Sequence, residues 1–341
     1  MTFTCFSAGG RTWPLTHRIG SGSEGAVYAV DGPGSLVAKL VPDAPPGYRR
    51  RIERLVRQRR EPRTVALLSG TPARVAWPLE AVRTGTGAQG YLMPDMRVAF
   101  RPLGRLLTPV ARQERMPAAT WRTGLAAAGA LARLLAEAHA EGYVVGDLKP
   151  DNLWVDDDGR IGAADVDSWQ FTDGGETFPG RMSTPGYTPP ERLGADAAAP
   201  RAAGDDFVLA VLVHQLLMSG LHPFTGIPGD GGPYVSLDDN VLRGRSRLLD
   251  PASVELPRSA PPVDVLPRRL TALFVRAFTP GRRRPEAAEW AQALEAEQGR
   301  LACCPVSGRH VHTVERPWCP WCDQAARGGD SYPAPVAGVA R

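Results

Sequence analysis

Residues 143–169 read YVVGDLKPDNLWVDDDGRIGAADVDSW, and the polar residues in this stretch decide how the rest of the chain is read. Asp147, Lys149, Asn152 and Asp165 stand in an order that suits phosphoryl transfer. One carboxylate can orient a hydroxyl, a lysine can meet the transferred phosphate, and an amide with a second carboxylate can hold magnesium. Lysine usage points the same way. The 341-residue chain has 40 Lys and Arg residues, of which only Lys39 and Lys149 are lysine. An ammonium is a compact point charge suited to a phosphate oxygen, whereas arginine serves wherever a generic surface cation will do.

Toward the N-terminus, Lys39 lies in the apolar run SLVAKLV, one hairpin after IGSGSEGAVYAV. Gly20, Gly22 and Gly25 form G-x-G-x-x-G, so backbone amides could approach phosphates where a Cβ would clash. A dinucleotide-binding fold would need a helix straight after these glycines, but residues 26–30 read as a strand and 31–34 as a turn. The glycine loop therefore belongs to a hairpin, with Lys39 on the next strand.

With these residues in place, the chain resembles the eukaryotic-like (Hanks-type) Ser/Thr protein kinases of bacteria over about residues 12 to 298. Gly20 to Val27 is similar to the family's glycine-rich loop, Val37-Ala38-Lys39 to its nucleotide-anchoring lysine segment, residues 147–152 (DLKPDN) to its catalytic loop and Asp165-Val166-Asp167 to its magnesium motif. Residues 183–191 resemble the end of an activation segment closed by Glu191. Arg284 matches the arginine that pairs with that glutamate, and Asp206 takes the place of the aspartate that braces the catalytic loop. Gln89 to Met96 looks like the hinge, which would bring Met93 and Met96 to the adenine together with Val27 and Ala38.

The resemblance implies an α+β bilobal fold with a small β-rich N-lobe and a larger helical C-lobe. Residues 1–96 would form the N-lobe and hinge, 97–298 the C-lobe, 299–327 a zinc-ribbon-like module and 328–341 a disordered tail. It implies ATP as phosphate donor, Mg2+ or Mn2+ on Asn152 and Asp165, Asp147 positioning a Ser or Thr hydroxyl of a protein substrate, and Lys149 neutralising the phosphate. A nucleotide-binding pseudokinase scaffold is the alternative.

One departure from the family pattern carries an expectation. Gly146 stands where an arginine often precedes the catalytic aspartate. Without that cation a phosphate on the activation segment lacks its internal receptor, so Thr172, Thr177, Ser183 and Thr184 need not be phosphorylated for activity. The acid that pairs with Lys39 is expected on the helix within YRRRIERLVRQRREPR, where Ile52, Leu55 and Val56 mark the apolar face, and Glu53 is chosen for it. The surrounding arginines read as a solvated face.

Beyond residue 298 the chain reads LACCPVSGRHVHTVERPWCPWC. Cys319 and Cys322 form a C-x-x-C knuckle, and Cys304 with His310 completes four ligands for structural zinc, with Cys303 and His312 as competing choices. Kinase lobes followed by such a ribbon resemble a bacterial subgroup associated with a von Willebrand A-domain protein and a PP2C-type phosphatase, which implies those partners.

Composition sets outer bounds. With 43% hydrophobic residues, 22% charged residues and a net charge of +4, the chain is an ordinary globular protein whose charge does not demand nucleic acid. Its opening MTFTCFSAGGRTWP lacks a secretory pattern, and no stretch approaches the roughly 18 apolar residues of a membrane span. A reducing cytoplasm is the expected location.

Overall fold

Six antiparallel strands open the fold: β1 (Phe3–Ser7), β2 (Thr12–Ser21), β3 (Ala26–Val30), β4 (Leu36–Val41), β5 (Glu80–Thr84) and β6 (Gln89–Pro94). They close into a barrel in the order β1-β2-β3-β4-β6-β5, with β5 pairing back onto β1. The structure is a computed structural model and describes residues 3–22, 25–180, 182–193, 200–233 and 235–334. Strand alternation sends Leu15, Ala38, Leu40 and Leu92 into the barrel interior beside Cys5, Trp13 and Val82. The other face of β3, β4 and β6 carries Val27, Lys39 and Tyr91 in one row of the ladder, with Val37 opposite Met93 in the next.

Between β4 and β5 run α1 (Tyr48–Gln58) and α2 (Pro62–Leu68). Tyr48, Ile52, Leu55 and Gln58 lie on the buried face of α1, at the spacing of a helix with one side in the core. After β6 come β7 (Arg101–Pro102), α3 (Gly104–Leu107), α4 (Pro109–Arg115) and the long α5 (Trp121–Ala140). Two short hairpins follow, β8 (Leu153–Val155) with β9 (Ile161–Ala163) and β10 (Phe171–Asp173) with β11 (Glu176–Phe178). Next come α6 (Ala202–Leu217), β12 (Ile227–Pro228), α7 (Leu237–Leu242), β13 (Val254–Glu255), α8 (Arg268–Phe278) and α9 (Ala287–Gln298). α6 is buried on every side from Gly204 to Leu217, with its polar Asp205 and Asp206 hydrogen-bonded to backbone amides. α5 comes so close to it that a Cβ on Gly124 would sit 2.7 Å from the Leu216 carbonyl oxygen.

The chain closes with the hairpin β14 (Leu301–Cys303) and β15 (Val311–Thr313), then α10 (Pro320–Ala326). This module rests against the helical region: Arg309 donates to the Ala119 carbonyl at 2.8 Å, and Trp321 is fully buried. A tail disordered from residue 328 is not what the structure shows. Tyr332 is buried edge-on against Trp321, the Arg112 guanidinium lies 4.6 Å from its ring centre, and Gln113 donates to the Ala334 carbonyl. Residues 335–341 lie outside the described residues. Among the described residues no helix is long and apolar enough to cross a membrane.

Candidate active site and metal centre

The hairpin from β2 to β3 runs over the face that holds Lys39. A Cβ on Gly25 would lie 2.3 Å from the Leu40 carbonyl oxygen, so only glycine lets this turn settle onto β4, whereas Gly20 and Gly22 border open space. Alternation along β4 corrects one expected nucleotide contact. Ala38 points into the barrel interior with Leu40, and Val37, two residues before Lys39, shares its face. Val27 is half-buried on that face, and Met93 and Met96 are buried nearby in the main core.

Lys39 is 7% exposed and makes an ion pair with Asp165. Its ammonium also lies 2.8 and 2.9 Å from the two carboxylate oxygens of Asp167. The Asp167 carboxylate further accepts from the hydroxyls of Tyr91 (2.8 Å) and Tyr48 (2.9 Å). Burial opposes the charge on Lys39, but Asp167 and Asp165 overcome it and hold the ammonium above its ordinary value. Burial likewise opposes ionisation of Asp167, yet Lys39 and the two tyrosine hydroxyls hold its carboxyl below the usual range. Asp165 is pushed up by burial and by its neighbour Asp167. The expected partner of Lys39 is elsewhere: Glu53 is half-exposed and pairs with Arg49 at 2.8 Å, one turn back along α1. α1 turns Tyr48 toward Lys39 and leaves Glu53 on its outer side.

α5 ends at Ala140 and the chain enters the loop holding Asp147. Asp147 is buried; Lys149 Nζ lies 2.7 Å from its Oδ2, and the Thr184 hydroxyl donates to its Oδ1 at 2.7 Å. Lys149 also donates to that hydroxyl at 3.1 Å. Asn152 Nδ2 donates to the Asp147 carbonyl at 3.0 Å, which leaves the amide oxygen facing away from that bond. Thr184, considered from sequence only as a modifiable residue, thus belongs to the cluster around Asp147. The signal for it was its place seven residues before Glu191.

The catalytic-loop brace also differs from the sequence reading. Asp205, not Asp206, accepts from the amides of Val145 and Gly146, both at 2.8 Å, and meets His139 at 3.0 Å. One residue further along α6 turns the side chain through about 100°, so Asp206 accepts instead from the Ala287 amide at the start of α9. Burial pushes Asp206 up to about 6. Arg284 grips both oxygens of Glu191 at 2.6 and 2.7 Å.

The arginines of α1, expected to face solvent, grip the segment after Asp165. Arg51 donates to the carbonyls of Asp167, Trp169 and Pro179; Arg50 pairs with Glu176, and Arg54 and Arg57 both pair with Asp173. Gln58 adds a bond to the Thr172 carbonyl. A cavity of about 770 Å³ opens beside this contact, bordered by Gly22, Tyr48, Arg50, Asp167 and Phe178.

Near the C-terminus, the ligand atoms of Cys304, His310, Cys319 and Cys322 all lie within 4.8 Å of one another. Cys304 Sγ is 3.6 Å from Cys322 Sγ, and His310 Nδ1 is 3.6 and 3.4 Å from the sulfurs of Cys319 and Cys322. Zinc with bonds of about 2.3 Å to sulfur and about 2.0 Å to nitrogen makes tetrahedral edges of roughly 3.5–3.8 Å, so this donor set fits it. Of the competing choices, Cys303 is exposed and His312 turns its ring toward the Thr313 carbonyl.

Solved structures with the same architecture include a rhoptry kinase from Toxoplasma gondii, with a TM-score of 0.58 and 17% identity, covering 88% of this chain and 84% of that one. The kinase domain of a T. gondii rhoptry antigen matches with a TM-score of 0.55 over 88% of this chain and 86% of that one. The fold is protein kinase-like. No family model matches the chain. Among curated proteins, the protein kinase YegI of Escherichia coli K12 is 29% identical over 93% of this chain and 49% of its own length. The YegI of E. coli O157:H7 is 30% identical over 94% of this chain and 50% of its own. The serine/threonine-protein kinase PkaB of Streptomyces coelicolor is 29% identical over 61% of this chain and 48% of its own. The chain therefore spans about half the length of the curated relatives it matches. On this kinase fold, Lys39 pairs with Asp165, and Asp147, Lys149 and Thr184 form a second polar cluster.

Proposed function

We propose that the chain is an ATP-dependent protein kinase that transfers the γ-phosphate to a Ser or Thr hydroxyl of a partner protein. The observation that carries this reading is the Asp147 carboxylate held between Lys149 and Thr184, both at 2.7 Å, in a buried site. The kinase names of the bacterial relatives support it.

Asp147 orients the incoming hydroxyl by accepting its hydrogen bond and takes the proton as the new O–P bond forms and the bond to ADP breaks. Lys149 offsets charge on the phosphate in flight. Lys39 holds the non-transferred phosphates, and the turn at Gly20 and Gly22 has the open space to cover them. The donor set of Asp165 and the Asn152 amide oxygen suits magnesium, which supplies charge neutralisation on the phosphates. Val27, Val37 and Met93 supply an apolar surface for the base. Cys304, His310, Cys319 and Cys322 would hold a structural zinc, with all four positions filled by protein and none open for catalysis. ATP and unoxidised thiols both suit a cytoplasmic setting, and the von Willebrand A-domain and PP2C partners rest on the resemblance of the 299–327 module alone.

The test is transfer of labelled γ-phosphate from ATP to the chain itself and to a generic protein substrate, comparing wild type with Asp147→Ala. Label lost in the variant is the expected result. A wild-type chain that binds nucleotide yet labels neither itself nor partner proteins would turn the reading toward a nucleotide-binding scaffold.

A further inference from the structure

We infer that Asp167, and no residue of helix α1, is the carboxylate that positions Lys39 for the nucleotide. The inference rests on the reading of Lys39 as a phosphate-binding residue. Kinase chemistry requires this lysine to be held by an anion so that its ammonium stays at a fixed point. In this chain that anion comes from the segment carrying Asp165. The two aspartates are joined by a single helical turn, Val166–Ser168, that begins immediately after Asp165.

The bonding of Asp167 separates its role from that of Asp165. An ionised carboxylate offers about four lone-pair positions. At Asp167 four hydrogen bonds from three groups occupy them: the Lys39 ammonium on both oxygens, Tyr91 on Oδ1 and Tyr48 on Oδ2. Its side chain is 2% exposed, against 24% for Asp165. No position remains on Asp167 for a metal ion, whereas Asp165 keeps access to the cleft. When Asp165 turns to a cation, Lys39 retains Asp167. α1 contributes through Tyr48 and through Arg51, which donates to the Asp167 carbonyl, so the helix holds the carboxylate and the carboxylate holds the lysine. Glu53, pointing outward to Arg49, is left without a part in this arrangement.

Asp167 is thus a positioning residue, and its removal should weaken phosphate binding selectively. The experiment is calorimetric titration of the full chain with MgATP and, separately, with adenosine, for wild type, Asp167→Asn and Glu53→Gln. Asp167→Asn should bind MgATP at least tenfold more weakly and bind adenosine within about threefold of wild type, while Glu53→Gln should match wild type for both. Equal losses for adenosine and MgATP in Asp167→Asn would mean a merely structural role and overturn the inference. So would a tenfold loss of MgATP in Glu53→Gln, which is measurable even if Asp167→Asn does not fold. A wild-type chain that binds MgATP but transfers no phosphate removes the kinase reading and leaves this inference standing. A wild-type chain that binds no MgATP removes both.

Discussion

Asp205 and Asp206 are neighbours with opposite duties, and one substitution at each separates them. Asp205→Ala leaves two amides, those of Val145 and Gly146, without an acceptor, which should cost about 2–6 kcal/mol at 1–3 kcal/mol for each orphaned group. Phosphate transfer should fall with it, because the loop it frees carries Asp147. Asp206→Asn should change stability by less than about 1 kcal/mol at pH 7, since it removes a carboxylate that burial already disfavours. Urea unfolding of both variants with a labelling assay checks this, and an equal loss in the two would refute the assignment. Motif order revealed that an aspartate here braces the loop, but the choice between adjacent residues depends on the phase of α6, which a helix buried on every side does not show in its apolar pattern. Ala38 was different. Alternation along β4 sets it on the face opposite Lys39, so its orientation is legible in the sequence. Gly146 completes the picture: its φ of +73° and the 3.0 Å that would separate a Cβ from Pro200 explain why a side chain is disfavoured there.

At the scale of elements, α1 and the β10–β11 hairpin form one unit. Arg50, Arg51, Arg54 and Arg57 hold the segment after Asp165 through two acidic side chains and three backbone carbonyls. These contacts from α1 reach residues 167–179 and support the expectation, drawn from the missing arginine before Asp147, that this segment needs no phosphate. Alanine at Thr172, Thr177 and Ser183 together should leave turnover within about twofold of wild type, read as initial rates on enzyme shown unphosphorylated by mass spectrometry. Activity that requires phosphate at any of these three positions would contradict the arrangement. Thr184 stands apart because its hydroxyl is bonded to Asp147. The arginine run read as a solvated face because Asp173 and Glu176 lie more than 100 residues away along the chain, and no local pattern announces a partner at that distance. The expectation that phosphorylation is dispensable came from Gly146 alone; the contacts from α1 are visible only in three dimensions.

At the scale of the whole molecule, two buried histidines contribute to the response to acid. His214 and His222 are buried, and burial pushes them down to about 3 and about 4. Below pH 6.5 the unfolded chain protonates both while the folded chain does not, so stability is fully present above that pH and is lost as pH falls toward 4. Asp206, raised to about 6, acts in the opposite sense, because the folded chain takes up its proton first. For these three groups, two losses against one gain sum to a fall of about 2 kcal/mol between pH 7 and pH 5. Denaturant midpoints across that range measure it, and His214→Leu should flatten the curve; a slope unchanged in that variant would show the histidine is not its source. The β2–β3 hairpin with Lys39 on the next strand and the Cys/His cluster could be anticipated from glycine spacing and the C-x-x-C knuckle. The packing of residues 328–334 could not, because a stretch rich in small residues gave no sign that Tyr332 would find Trp321 and Arg112.

Closure of β1–β6 into a barrel has a consequence for recognition. An open sheet offers its outermost strand as a template on which another chain can extend the hydrogen-bond ladder. Here β1, the strand that would have been outermost, is paired with β2 on one side and β5 on the other. A protein that recognises this region must therefore read its side chains and loops, because the described strands leave it no backbone to zip against.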